Sequence, residues 1–246
     1  MKAPSPGSTP PHPFLLYLRL RAGVYRIISH FLLKEPTPET LSELVLFLRD
    51  QRVSRIVESL ELCHNEAASL AAVSAKLTEE LSSSPERLVD VWAEYTRLFI
   101  APYPKAIPYE SFWKGGGKGR LLFSASWEDV KLWYLEDGYA LDDRTVAEDH
   151  LGVELEYVAA MSEEALEMLA EGRVDAALRK VKRSVDFLDA HVLKWATKML
   201  KTVEVEAKEP FYRALASWTA CFIKLDSEVT RKLVEELAKE ADALAS

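Results

Sequence analysis

Two imidazoles and a carboxylate stand where they could bind a metal or move a proton: His150 and Glu154, one helical turn apart, and His191 further along. At about 100° per residue with His150 at zero, Glu154 falls near 40°, Tyr157 near −20°, Met161 near 20° and Val158 near 80°. Both polar groups therefore lie inside an apolar arc that Leu151 and Leu155 extend. Asp149, Glu156, Glu163 and Glu167 fall opposite and are expected in water. In the next long helical stretch Phe187, Leu188, Val192, Trp195 and Met199 form an arc, and His191 projects between Phe187 and Trp195. A buried polar group without a partner costs about 1 to 3 kcal/mol, so such groups must meet one another. The spacing predicts a buried polar cluster of Glu154, His150 and His191, read either as structural hydrogen bonding or as the centre of a helical metal-dependent hydrolase.

Motifs that would favour chemistry are missing from the sequence. Two-metal helical bundles use paired Glu-x-x-His elements, and none occurs; nor does His-Glu-x-x-His, and Asp149-His150 reverses the His-Asp order of metal-dependent phosphohydrolases. The tract Gly115-Gly116-Gly117-Lys118-Gly119-Arg120 fails the phosphate-loop frame because Gly119 follows Lys118. There is no G-x-S-x-G elbow. Cys63 and Cys221, 158 positions apart, make neither a disulfide framework nor a zinc motif and are expected as buried free thiols. No catalytic residue, metal or cofactor is assigned, and the chain reads as a non-enzyme.

The elements that must position these groups are helices. The spacing predicts ten: Phe14 to Leu33, Pro38 to Leu48, Val53 to Leu62, Asn65 to Leu81, Pro85 to Ile100, Ser126 to Glu136, Glu148 to Ala170, Val174 to Lys201, Pro210 to Leu225 and Ser227 to Leu244. Thr37 before Pro38, Ser84 before Pro85 and Ser126 with Asp129 supply starts, while Gly138 and Gly172 supply left-handed stops. Only Arg120 to Phe123 could be extended, and no repeat at a period of 20 to 50 residues suggests a solenoid. The expectation is an all-α, single multi-helix domain over residues 14–246, preceded by a mobile arm at 1–13, whose five prolines each lack an amide donor. Residues 101–125 read as one long loop rich in aromatics and glycine, either a lid over a binding wall or a segment tied down by packing.

The chain has 246 residues, 31 basic and 39 acidic, for a net charge of −8, with 48% hydrophobic side chains. Disorder throughout is excluded, as is a membrane span, which needs about 20 apolar residues in a row. The first thirteen residues have no apolar core of a secretory signal, so a cytoplasmic location is expected. The negative balance argues against nucleic acid and for a basic partner. Its acidity is regional. Between Glu128 and Glu164 twelve acids face only Lys131 and Arg144, among Trp127, Trp133, Tyr134, Tyr139 and Tyr157. Such a stretch is either a solvated face or an acidic rim beside aromatic surface, fit for a peptide basic at one end and apolar beyond it.

Several blocks now combine. Glu94-Tyr95-Thr96-Arg97-Leu98-Phe99, then Pro108-Tyr109-Glu110-Ser111-Phe112, then Glu148-Asp149-His150-Leu151-Gly152-Val153-Glu154-Leu155-Glu156-Tyr157, and later Phe187-Leu188-Asp189-Ala190-His191-Val192-Leu193-Lys194-Trp195 resemble, in order and spacing, the TorD/DmsD/NarJ family of molybdoenzyme assembly chaperones. Phe211 to Ala216 is similar to that family's penultimate helix. The likeness covers about Pro85 to Leu225. It implies a TorD-like helical chaperone that binds the twin-arginine signal peptide and apo-form of a molybdopterin-dependent oxidoreductase, holding it for cofactor insertion before export or assembly. Peptide-binding positions carried over by motif are Tyr95, Leu98, Phe99, Pro108, Tyr109, Ser111, Asp149 and His150, with Glu154 and His191 as buried polar support. Ala147 stands where some members have proline, and Leu151 where some have isoleucine, which blurs the subgroup. No motif supports guanine-nucleotide binding. A permanent helical scaffold subunit of a redox enzyme is the alternative, and the oligomeric state is open between a monomer and a dimer that exchanges segments across the 101–125 hinge.

Overall fold

The computed structural model describes residues 13–115, 124–141 and 145–245. Within them the architecture is all-α: α1 Pro13–Leu33, α2 Pro38–Arg49, α3 Gln51–Ser59, α4 His64–Ser83, α5 Arg87–Tyr95, α6 Glu110–Lys114, α7 Ala125–Glu136, α8 Leu151–Ala170, α9 Val174–Ala190, α10 Ala196–Glu206 and α11 Pro210–Ala245. A π-helical turn, Thr96–Ile100, continues α5, and a 3₁₀ turn, Val192–Lys194, separates α9 from α10. No helix is long and apolar enough among the described residues to cross a membrane. Most of the expected arm, the glycine tract from Gly116 and the Arg120 to Phe123 segment lie outside the described residues.

Local signals explain many of the boundaries. Thr37 caps α2 in a reciprocal pair with Thr40, with Pro38 pre-setting the first turn. Gly138 and Gly172 have φ of 81° and 76°, left-handed positions that end α7 and α8. Ser124, not Ser126, caps α7 by accepting from the Trp127 amide. The expected single helix Val174 to Lys201 breaks at His191, whose ψ of −68° leads into the 3₁₀ turn.

The opposite correction applies at the C-terminal end, where the two expected helices are one. Asp226, the residue between the two expected spans, is fully buried inside α11. Arg21 on α1, also fully buried, explains it: Nε donates to both Asp226 oxygens at 2.9 Å, and Nη1 donates to Ser162 Oγ of α8 at 2.7 Å and Ser184 Oγ of α9 at 2.9 Å. Tyr25 donates its hydroxyl to Asp226 Oδ2 at 2.7 Å, and Tyr17 bonds Asp226 and Thr230. One guanidinium thus ties four helices at the bundle centre.

α1 lies along α8, α8 against α9, and α11 bridges α9, α10 and α4, with α2 closing over α4. The α1–α8 approach is close at Gly152, where a Cβ would sit 2.6 Å from Leu33 Cγ. We expect Gly152→Ala to lose about 1 to 3 kcal/mol to overpacking, partly offset by about 1 kcal/mol of helix propensity. The urea midpoint reads the net loss, and a midpoint at or above that of the parent chain would show that Leu33 yields freely.

Candidate functional site

The eight family-matched positions form two groups joined by the loop between them. In the first, the π turn gives Leu98 and Phe99 inward positions beside Tyr95, and all three are buried. Tyr95 packs edge-on against Phe99 at 5.3 Å between ring centres and donates its hydroxyl to the Leu32 carbonyl at 3.0 Å, so it is anchored on the end of α1. Burial raises the Tyr95 hydroxyl pKa, and the nearby Glu35 and Tyr109 add to it, so the group is a neutral donor. From Leu98 the loop is suspended by its carbonyl, which accepts the Ala106 amide at 2.9 Å.

The second group is a clasp. Glu110 N–H donates to the Asp149 carbonyl at 2.9 Å and Leu151 N–H to the Pro108 carbonyl at 2.8 Å, an isolated antiparallel bridge centred on Tyr109 and His150. Ser111 N–H donates to Asp149 Oδ2 at 2.9 Å, and the Tyr109 ring meets the His150 ring edge-on at 5.0 Å. The clasp places α6 inside the expected loop. Pro108, Ser111, Asp149 and His150 are buried, and only Tyr109 is half-exposed.

Two expectations about the 148–154 stretch are corrected here. Asp149 was placed on the wet face of a helix beginning at Glu148, but α8 begins at Leu151 and Asp149 is 1% exposed. Its carboxyl pKa is raised by burial, which the bonds from Ser111 oppose. His150 precedes α8 instead of riding its apolar arc, and its Nδ1 accepts the Gly152 N–H at 3.0 Å as the helix cap. Burial lowers the His150 pKa to about 3, so the ring is a neutral imidazole.

The expected cluster of Glu154, His150 and His191 is replaced by another. His191 Nδ1 meets Glu110 Oε2 at 3.0 Å, with Lys114 also paired to Glu110, while the His191 ring stacks on Phe187 at 4.9 Å. Burial pushes the Glu110 carboxyl up, but His191 and Lys114 outweigh it and leave the pKa below the usual value. Glu154 is fully buried with neither oxygen hydrogen-bonded among the described residues. Burial and the adjacent Glu110 and Asp149 carboxyls raise its pKa well above the ordinary range, so it is held protonated. Sequence reasoning missed Glu110 by leaving it in a loop; its spacing from Lys114, four residues on, was the available signal. His150, Glu154 and His191 do not converge as ligands. The described cysteine, histidine and acid groups that come within metal-binding reach are Cys63, Glu66 and Cys221, and the two cysteine sulfurs are bonded to each other.

The acidic stretch is largely neutralised from within. Glu156 and Glu163 pair with Arg26 of α1, Glu164 with Lys180, Asp137 with Lys180 and Arg183, and Glu136 with Arg183. The expected aromatic rim is mostly interior, since Tyr134 and Tyr157 stack around Phe187 and the Trp133 face carries Arg183 at 3.8 Å. Among the described residues, what stays outside without a strong partner lies on α7: Glu128 and Asp129, with Leu132 and Leu135 each 56% exposed. α7 touches α6 and is held to the clasp by Trp127 Nε1 donating to Glu148 Oε2 at 2.6 Å and by the Tyr134 hydroxyl donating to the Glu148 carbonyl at 3.0 Å.

The family model described as nitrate reductase delta subunit matches residues 64–201, more than half of the chain, and takes in α4 to the middle of α10 with both groups of the site. The chain belongs to the nitrate reductase delta subunit family, the NarJ/TorD-type chaperones of molybdoenzyme maturation.

Proposed function

We propose that this protein works in the cytoplasm, where it binds the twin-arginine signal peptide and apo-form of a molybdopterin-dependent oxidoreductase and holds that client until its cofactor is inserted. It does no bond chemistry on the client. The observation that carries this reading is the outer face of α7, where two carboxylates without strong internal pairing stand beside exposed Leu132 and Leu135, next to the clasp. A twin-arginine leader has the complementary order, guanidinium groups followed by an apolar run. Glu128 and Asp129 would take the guanidinium groups and the leucines, with half-exposed Tyr109, the apolar part. Exposed ion pairs contribute about 1 kcal/mol or less, so apolar burial, at about 25 cal/mol per Å², must supply most of the affinity. Tyr95, Leu98, Phe99, Pro108, Ser111, Asp149 and His150 are buried, and their part is to hold Tyr109 and the clasp in place.

Calorimetry with leader peptides of molybdopterin oxidoreductases from the same genome tests this. One of them should bind with Kd of about a micromolar or tighter. The matching double-lysine peptide should bind several-fold more weakly, because lysine lacks the bidentate fork. Leu135→Gln, which keeps helix propensity and adds no charge at a position 56% exposed, should weaken binding at least about tenfold. Equal affinity for arginine and lysine peptides, or no binding of any such leader, would overturn the reading.

A further inference from the structure

The structure contradicts the expectation of free thiols: Cys63 and Cys221 form a disulfide, with 5.9 Å between their Cα atoms. It joins the start of α4 to the middle of α11. The residues flanking each sulfur line one apolar cavity of about 400 Å³, with Leu62 and His64 on one wall and Trp218 and Phe222 on the other, closed by Phe47 of α2 and Val57 of α3. The bond ties the corner before α4 to α11, the two elements that supply those walls.

The corner that carries Cys63 is held in an unusual conformation. Glu61 and Cys63 have φ of 53° and 48°, left-handed positions that side chains with a Cβ rarely adopt. Two tethers keep it there: the disulfide and the burial of Leu62, which is 1% exposed. The two residues differ in exposure, Cys221 being half-buried and Cys63 buried. Cys63 is also the residue preceding the twenty-residue α4, where no side chain caps the first amides.

We propose that Cys63–Cys221 is a reducible site for a dithiol protein reductant, and that its redox state sets whether the α3–α4 corner is latched to α11 over the apolar cavity. A thiolate of the reductant attacks the sulfur of Cys221, the less buried of the two residues. The Cys63–Cys221 bond breaks, and Cys63 leaves with the electron pair as a thiolate. The positive end of α4 favours that charge, while the neighbouring Glu66 carboxylate opposes it. Cys63 then takes a proton. The second thiolate of the reductant attacks the mixed disulfide and releases Cys221, so two electrons and two protons reach the protein and the reductant departs as a disulfide. With one tether gone, the corner can leave its left-handed conformation and the cavity opens along α4.

The test uses the full wild-type chain in both redox states. Protein purified without reductant should show no alkylatable thiol, and two after dithiothreitol. Amide exchange across 51–72 should then quicken by about tenfold or more while 151–165 is unchanged, and reoxidation should restore protection. Binding of an apolar dye such as anilinonaphthalene sulfonate should rise in parallel. Cys221→Ser should show the fast exchange from the start and ignore dithiothreitol; if that variant fails to fold, the wild-type comparison still decides. Two free thiols before reduction in air-exposed protein, or identical exchange across 51–72 in both states, would overturn the proposal.

Discussion

Asp226→Ala should lose about 3 to 5 kcal/mol of folding stability, a large share of the 5 to 15 kcal/mol typical of a domain. The substitution leaves the Arg21 guanidinium fully buried with no counter-charge, and the Tyr17 and Tyr25 hydroxyls lose their common acceptor. Most of that loss measures the stranded cation, since burying two charges costs nearly as much as their attraction returns. Adding Arg21→Met to the alanine variant should therefore recover most of the stability. Urea unfolding of the parent, the two single variants and the double variant gives the coupling. An Asp226→Ala chain within about 1 kcal/mol of the parent would mean that water reaches Arg21 and that the four-helix tie is unimportant.

The second large effect is a pH dependence assigned to His150. Its pKa in the folded chain is depressed from 6.5 to about 3 by burial. The unfolded chain then binds the proton first, so this residue's contribution is fully present above about 6.5 and is lost as the pH falls toward 3. Between pH 7 and pH 5 the loss comes to about 2 kcal/mol. Glu154 runs the other way: its raised pKa favours the folded state at low pH and costs stability as pH rises above the ordinary carboxylate value. The two slopes oppose each other in the parent chain, so the His150 share must be read as a difference. His150→Asn keeps an acceptor for the Gly152 amide. The stability gap between parent and variant should shift by about 2 kcal/mol in favour of the variant on going from pH 7 to pH 5. A gap that stays constant over that range would show that His150 is solvated.

Much of the fold was legible because its determinants are local. Thr37 with Pro38 opens α2, Gly138 and Gly172 end helices, and the apolar residues Leu151, Leu155 and Val158 of α8 and Phe187 and Leu188 of α9 are buried as their spacing requires. The misreadings share one physical cause, a partner remote in sequence. The split between Leu225 and Ser227 looks natural until Arg21, on the first helix, reaches Asp226 and holds it inside one helix. Asp149 looks solvated until the Ser111 amide is folded onto it. The acids of α8 look like a free negative face until Arg26 and Lys180 are brought across. Cys63 and Cys221 are unremarkable at 158 residues apart and adjacent in space. The family blocks marked the site positions as a set, but periodicity could not show that seven of the eight are buried, leaving Tyr109 as the partly exposed one.

The π turn at Thr96–Ile100 has the arithmetic of an inserted residue, five amino acids where a regular turn would use about four. Deleting any one of them would rewind that stretch to ordinary pitch and swing everything after it by about 100°. Ala106 would then miss the Leu98 carbonyl, and Tyr109 would arrive on the wrong side of His150. Chain length through this stretch is accordingly as restricted as side-chain identity, and a one-residue gap there would unhook the clasp while every one of its side chains was retained.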